Sequence, residues 1–199
     1  MKKIILTSSF SDTYKLIDED LTNKKIAFIP TASKVEEMKD YVEKAKQAFE
    51  SMQAIVEIVD IDAFPIAKVQ EKIEKADVIY VSGGNTFFLL DILKRTGMDE
   101  VIINEINKGK LYIGESAGAM ILSENIEYVE TMDDASVVLE KGSYDALNEI
   151  SFYPLPHYKE FPFEQETIDI LNDYQDKVEM IPITNSQIIV VNENEYQVK

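Results

Sequence analysis

The chain has 199 residues, of which 45% are hydrophobic and 29% charged, a composition typical of a globular domain and not of a disordered or fibrous chain. Its 20 Lys and Arg residues and 37 Asp and Glu residues give a formal net charge of −17. Such a surface repels phosphate, so neither nucleic acid nor an anionic membrane is expected as a partner. The lack of cysteine and the single histidine exclude disulfides, thiolate nucleophiles and multi-histidine metal sites.

No apolar run approaches the ~20 residues needed to span a bilayer. The apolar stretch at residues 4–6 is too short for the core of a signal peptide. We therefore expect a cytoplasmic protein. There is no Gly/Ser linker, internal repeat or low-complexity tract, so a single domain over residues 1–199 is predicted.

Short strands alternate with helices over the first two thirds of the chain. Brief β-rich apolar runs predict strands at residues 3–7, 25–30, 54–59, 77–81 and 111–113. Apolar side chains at helical spacing predict helices over residues 35–52, 69–75, 86–95 and 98–107. Ser33 and Glu36 fit a capping box that begins the first of these helices. The alternation predicts an α/β fold, with a mostly parallel sheet between two helical layers.

The final third is less regular. It contains possible strands at residues 151–153 and 178–181 and a helix over residues 164–174. Strands at residues 187–191 and 196–198, joined by a turn at residues 192–194, predict a terminal hairpin.

A possible nucleophile follows the fifth strand. Residues 114–118 read Gly-Glu-Ser-Ala-Gly, which fits the G-x-S-x-G pattern of a strand-to-helix turn that exposes a serine hydroxyl. The N–H of Ala117 would then face the position of an oxyanion. The alternative is a tight turn in which Ser116 is incidental.

The base for this serine would be His157 or a lysine, since the chain has one histidine. Pro154 and Pro156 precede His157 and favour an extended, fixed course of the loop that carries it. A surface histidine without a catalytic role is the alternative.

A carboxylate that orients the imidazole is expected between Ser116 and His157. Asp133 and Asp134 form the most compact acidic pair there, although a solvated acidic loop would look the same. If neither serves, three glutamates are the next candidates: Glu124, Glu127 and Glu130.

A second oxyanion donor is expected after the fourth strand, where residues 82–85 read Ser-Gly-Gly-Asn. Gly83, Gly84 and Asn85 would lie at the carboxyl edge of the sheet, where open α/β sheets bind ligands. A phosphate-binding turn or a plain turn is the alternative, but the six-residue dinucleotide fingerprint is absent.

Three segments together resemble the peptidase E family, which contains aspartyl dipeptidases and is related to cyanophycinases. They read VSGGNTF at residues 81–87, YIGESAGA at 112–119 and PLPHY at 154–158. The resemblance implies a three-layer, flavodoxin-like sandwich of the class I glutamine amidotransferase-like type. It also implies serine-dependent cleavage of short peptides without metal or cofactor. By position, Ser116 would be the nucleophile, His157 the base, and Gly84 and Ala117 the oxyanion donors.

One feature departs from that family. Aspartyl dipeptidases are expected to carry an arginine beyond the histidine that pairs with the substrate's aspartate. The only arginine here is Arg95, in a helix after the Gly-Gly turn, whereas residues 159–174 offer Lys159 and no arginine. Lysine supplies a charge but not a bidentate fork. Specificity for N-terminal aspartate is therefore not expected.

Two other functions fit parts of the sequence. An α/β-hydrolase esterase has the same Ser, Asp, His order, although 199 residues is short for that fold. A catalytically idle binding domain would retain the fold alone. For the peptidase, the expected partner is a short peptide substrate, and the expected state is a monomer or small homo-oligomer.

Overall fold

The computed structural model describes residues 2–138, 143–193 and 195–199. Its main feature is a seven-stranded sheet with the order β3-β2-β4-β5-β1-β8-β9. The first five strands in this order are parallel, β8 is antiparallel to β1, and β9 is antiparallel to β8. The strands of this sheet are β1 (Lys3–Thr7), β2 (Lys25–Ile29), β3 (Ile55–Ile58), β4 (Val78–Val81), β5 (Leu111–Glu115), β8 (Ile188–Asn192) and β9 (Glu195–Val198).

A separate two-stranded parallel sheet pairs β6 (Tyr153–Leu155) with β7 (Met180–Pro182). The helices are α1 (Phe10–Thr13), α2 (Asp40–Ser51), α3 (Ile66–Lys75), α4 (Thr86–Thr96), α5 (Met98–Asn107), α6 (Ala117–Met120) and α7 (Glu164–Tyr174). Short 3₁₀ helices span Tyr14–Leu16, Thr31–Val35, Glu127–Val129 and Ala135–Val137. No helix within these described residues is both long and apolar enough to cross a membrane.

The inner parallel strands are buried on both faces, because they alternate side chains between two cores, whereas the edge strands β3 and β9 are mostly exposed. In β1, Ile4 and Leu6 pack into a core shared with α3, α4 and α5, whereas Ile5 packs into a second core with α1 and α2. Phe10 and Phe49 stack in the second core with ring centroids 4.2 Å apart. The predicted α/β sandwich, with a mostly parallel sheet between helical layers, is confirmed.

The first long helix begins later than the sequence predicted. α2 starts at Asp40, and residues 31–35 form a 3₁₀ turn instead. The Ser33 hydroxyl donates to the Pro30 carbonyl at 2.8 Å, so it does not cap a helix, and Met38 is 81% exposed. The predicted capping box is wrong because a local side-chain bond to the backbone competes with helix formation.

The final third also differs in detail. β6 and β7 lie one to two residues later than the strands predicted at 151–153 and 178–181. The helix over residues 164–174 and the terminal hairpin are confirmed. Part of the hairpin turn predicted at residues 192–194 lies outside the described residues, because Asn194 is not among them.

Three parallel strands end side by side at one edge of the sheet. β4 and β1 flank β5, with Val81 and Leu6 each paired to Gly114. The segments that follow these strands, beginning at Ser8, Ser82 and Ser116, therefore emerge together. This carboxyl edge is the usual position of ligand sites in open α/β sheets.

Candidate active site

Ser116 lies on a sharp turn between β5 and α6. Its backbone has φ 48° and ψ −106°, a conformation that is strained for a residue other than glycine. The Ser116 N–H donates to the Thr7 carbonyl at 2.9 Å, and its own carbonyl accepts from Ala119 at 2.8 Å. These bonds hold the strained turn in place between the sheet and the helix.

The two glycines of the turn are required by close backbone packing. A Cβ at Gly114 would lie 2.3 Å from the Gly118 carbonyl oxygen, and one at Gly118 would lie 2.2 Å from the Val81 carbonyl oxygen. Any larger residue at either position would therefore displace backbone, not a flexible side chain.

The structure brings Ser116 and His157 together. Ser116 Oγ lies 3.0 Å from His157 Nε2, within the range for proton transfer between a nucleophile and a base. The His157 backbone has φ 58°, and its N–H donates to Ser8 Oγ at 3.0 Å. The Ser8 hydroxyl donates in turn to the Ile183 carbonyl at 3.2 Å, so the histidine loop is tied to the segment after β1.

The other imidazole nitrogen pairs with an amide. His157 Nδ1 lies 2.7 Å from Asn185 Oδ1. An amide oxygen can only accept, so this bond places the proton on Nδ1 and leaves Nε2 free to accept the Ser116 proton. Asn185 lies in the turn between β7 and β8, which Thr184 closes by donating its N–H to Gln187 Oε1 at 3.0 Å.

His157 is neutral near pH 7 in this environment. Burial lowers the pKa of His157 from its ordinary value, while the hydrogen bond to Asn185 and the charge of Glu160 oppose that shift. A neutral imidazole is the form that can act as a general base.

Asp133 and Asp134 are not brought to His157. Asp133 Oδ2 accepts from the Thr86 N–H at 2.7 Å, at the start of α4, and burial raises the pKa of Asp133 to about 6. Asp134 is exposed, and its carboxylate accepts from the Ser136 N–H at 2.8 Å. The orienting position expected for one of them, next to Nδ1, is taken by Asn185.

The Gly-Gly turn after β4 lies against Ser116. A Cβ built on Gly83 would be 3.3 Å from Ser116 Cβ. Gly84 has φ 130°, and a Cβ there would lie 2.2 Å from the backbone carbon of Ala32. Only glycine fits at position 84, both for its conformation and for the approach of the neighbouring backbone.

Asn85, for which the sequence predicted a substrate contact, makes several hydrogen bonds within the protein. Its Oδ1 accepts from the Phe88 N–H at 2.9 Å and so caps α4, and its Nδ2 donates to the Asp134 carbonyl at 3.0 Å. Its backbone N–H donates to the Ala32 carbonyl at 2.9 Å. These bonds direct the residue towards the protein interior and fix the end of the Gly-Gly turn.

Arg95 and Lys159 are the two cations considered for substrate binding. Arg95 pairs with Asp91 one turn earlier on α4, with Nε and Oδ2 2.8 Å apart. Lys159 is exposed, and its Nζ lies 4.9 Å from the centroid of the Tyr158 ring. Across the described ranges, no group of three His, Cys, Asp or Glu side chains could hold a metal ion.

Sequence reasoning missed three residues at this edge: Asn185, Ser8 and Glu115. Asn185 lies in a polar turn at the end of a strand, which is the type of position that carries ligand-binding groups in such sheets. Many polar turns fit that description, so this signal could not select it. Ser8 and Glu115 act through contacts distant in sequence, which no local pattern reveals.

Comparisons with known proteins identify the family of this chain. The model of peptidase family S51 matches residues 4–199. An uncharacterized peptidase of Listeria monocytogenes is 48% identical over 194 residues, covering 96% of this chain and 95% of the relative. A peptidase E of Nostoc sp. is 33% identical over 135 residues, covering 68% of this chain and 52% of the relative.

Solved structures show the same fold. The 1.5 Å crystal structure of a candidate peptidase E from Listeria monocytogenes superposes with a TM-score of 0.95 at 46% identity, covering 100% of this chain and 98% of that one. A peptidase from an acI-B1 Actinobacterium gives a TM-score of 0.73 at 21% identity, covering 100% of this chain and 87% of that one, a likeness of fold alone. The chain belongs to peptidase family S51. The predictions of a serine-type peptidase and of the peptidase E type of fold are confirmed.

Proposed function

We propose that this chain hydrolyses short peptides, with Ser116 as nucleophile, His157 as general base and Asn185 as the residue that orients the imidazole. The observation that carries the proposal is the position of His157, whose ring bridges Ser116 at 3.0 Å and Asn185 at 2.7 Å. Asn185 takes the role that the sequence assigned to Asp133 or Asp134.

In the first half of the reaction, Ser116 Oγ attacks the carbonyl carbon of the scissile bond while its proton passes to His157 Nε2. The imidazolium then gives that proton to the leaving amine as the C–N bond breaks, which leaves an acyl group on Ser116. Water attacks this ester in the second half, with Nε2 as base again, and the acid product and free serine are released.

The oxyanion would be stabilised by two backbone N–H groups. Ala117 is the first residue of α6 and follows Ser116 directly, and helix-terminal N–H groups have no partner within their own helix. Gly84 belongs to the turn that packs on Ser116. We assign these two as donors, since the Asn85 N–H is already bonded to Ala32 and the Gly83 N–H faces Glu115 at 3.5 Å.

Asn185 cannot neutralise the imidazolium as a carboxylate would. Its amide oxygen fixes the tautomer and the ring plane but contributes a dipole, not a charge. The proposed base is therefore oriented by a neutral partner. Compared with a Ser-His-Asp triad, a larger share of the transition-state stabilisation falls to the backbone N–H donors around the oxyanion.

The test is a screen of unblocked dipeptides and tripeptides, run beside a p-nitrophenyl ester, with a His157→Ala preparation as the blank. We expect amino acids to be released from a subset of the peptides by the native chain and not by the blank. Hydrolysis of the ester with none of the peptides would instead favour an esterase. Hydrolysis of neither would favour a binding domain that has lost activity.

A further inference from the structure

Glu115, the residue just before Ser116, is a buried carboxylate at the end of β5. It is 2% exposed and lies on the sheet face that packs against α1 and α2, two residues beyond the buried Ile113. No lysine or arginine is paired with it among the described residues. A buried carboxylate without a cationic partner is costly and needs strong hydrogen bonds.

Three donors surround the Glu115 side chain. Oε1 accepts from the Phe10 N–H at 2.7 Å. Oε2 accepts from the Tyr80 hydroxyl at 2.6 Å and, at a longer 3.5 Å, from the Gly83 N–H. Each donor belongs to a different segment of the chain, so one side chain links α1, β4 and the Gly-Gly turn.

Each of these segments leads into the proposed machinery. Phe10 follows the segment whose Ser8 hydroxyl accepts from the His157 backbone N–H. Gly83 packs on Ser116 and precedes Gly84, which we assign as an oxyanion donor. Glu115 is itself covalently joined to the nucleophile. The Glu115 carboxylate therefore connects the three parts of the proposed site: the segment that holds His157, the Gly-Gly turn and Ser116.

A carboxylate suits this position better than its neutral isostere. Phe10 and Gly83 offer backbone N–H groups that can only donate, and only a carboxylate presents acceptors on both sides. A glutamine would turn its amide N–H₂ towards one of these donors and leave it unpaired. Burial raises the pKa of Glu115, and the nearby charge of Asp12 acts in the same direction, while the bonds from Tyr80, Phe10 and Gly83 oppose it.

We propose that Glu115 is a positioning residue, which holds the Gly-Gly turn and the segment after β1 in register with Ser116. This proposal rests on the proposed function, because the relative positions of the Gly-Gly turn, the segment after β1 and Ser116 affect kcat only if these parts form one active site. It predicts an effect on kcat, since small displacements of reacting groups slow the chemical step. Substrate binding outside the reacting centre should be little affected.

The test compares Glu115→Gln with Glu105→Gln. Glu105 is also a buried glutamate, 5% exposed, but it lies on α5 and pairs with Lys108 and Lys110. Both variants should be less stable than the native chain. At a temperature where both are folded, we expect kcat of Glu115→Gln to fall about 10- to 100-fold with KM changed less than about threefold. Glu105→Gln should keep the native kcat.

Tyr80→Phe gives a second, milder measurement. It removes one donor to Oε2 and keeps the ring that packs on Phe10, so it tests the network even if Glu115→Gln does not fold. We expect a smaller loss of kcat, of about three- to tenfold. Tyr196→Phe is its control, since the Tyr196 hydroxyl also donates to a glutamate, Glu179 at 2.7 Å, and neither residue belongs to the proposed site.

Native kcat in Glu115→Gln, or in Tyr80→Phe where the first variant is unfolded, would overturn the inference. So would a loss confined to KM, or an equal loss of kcat in Glu105→Gln. Ser116→Ala is measured alongside to separate the two proposals. If it abolishes hydrolysis while Glu115→Gln does not reduce kcat, the positioning role fails and the proposed function stands. If Ser116→Ala keeps native turnover, the proposed function fails instead.

Discussion

Replacing Asn185 tests how much a neutral residue contributes when it orients the imidazole. Asn185→Ala removes the oxygen that lies 2.7 Å from His157 Nδ1 and leaves the rest of the turn between β7 and β8. Both side chains are half-buried, so water can replace the lost acceptor only in part.

The expected loss follows from the energy of that hydrogen bond. A neutral bond contributes about 0.5–1.5 kcal/mol net, and a buried donor without a partner costs about 1–3 kcal/mol. For this half-buried pair we take about 1–2 kcal/mol, which corresponds to about a 5- to 30-fold decrease in kcat. Loss of the tautomer fixed by a carboxylate costs about 10⁴-fold in a serine protease triad, so the two kinds of partner are distinguishable.

The pKa of His157 gives a second measure, because two substitutions of Asn185 should shift it in opposite directions. The bond to Asn185 raises the pKa of His157 against the effect of burial. Asn185→Ala should therefore lower that pKa further. Asn185→Asp should raise it by about one unit or more, because a carboxylate stabilises the imidazolium. The chain has one histidine, so a ¹⁵N-histidine label reports its titration and tautomer without assignment.

The assay is kcat for the best peptide of the screen, combined with this titration, for the native chain and both variants. Ser186→Ala is the matched control, because Ser186 is exposed in the same turn and its hydroxyl contacts Thr184. Native kcat and an unshifted histidine titration in Asn185→Ala would refute the orienting role of Asn185. A loss of kcat near 10⁴-fold in Asn185→Ala would refute the proposal that Asn185 acts on His157 only as a neutral hydrogen-bond acceptor.

Three further predictions concern acid, base and specificity. Burial lowers the pKa of His157. As the pH is lowered, kcat/KM should therefore fall only below pH ~6.5, the ordinary pKa of histidine. A midpoint of this pH profile above pH 7 would contradict the prediction. Asp133→Asn should change kcat less than about threefold, because the carboxylate bonds to the Thr86 N–H and not to His157; a loss above 10³-fold would restore Asp133 as the orienting acid. Asp-Leu should not be preferred over Ala-Leu by more than about 100-fold, roughly 2.7 kcal/mol, because Lys159 is exposed and Arg95 is paired with Asp91. A larger preference would contradict the last prediction, and its loss in Lys159→Ala would identify the cation.

The sequence predicted those parts of the fold that depend on local pattern. The helix at Met98–Asn107 has the bounds expected from its apolar spacing, and the buried strands of the parallel sheet lie within a residue or two of their predicted limits. The helix start at Ser33 failed because a hydroxyl can bond to a nearby carbonyl as readily as cap a helix, as it does with Pro30.

The proposed site was predictable where the sequence offered few choices. One histidine and one strand-ending G-x-S-x-G pattern led to the pair that the structure places 3.0 Å apart. The partner of Nδ1 was not predictable, because acids are abundant after Ser116 and the residue in contact is an amide 28 positions beyond His157. Glu115 is the variable residue of the pattern, so nothing in the motif indicates its contacts.

Ser116 is the proposed nucleophile, and the kcat of Ser116→Ala is the direct measure of that role. The substitution removes Oγ and keeps Cβ, so the strained turn and its bonds to Thr7 and Ala119 should persist with a native unfolding midpoint. On the best peptide of the screen, we expect kcat to fall on the order of 10⁶-fold, as when a catalytic unit loses its nucleophile. Native turnover by the folded, purified variant would show that Ser116 is not the nucleophile.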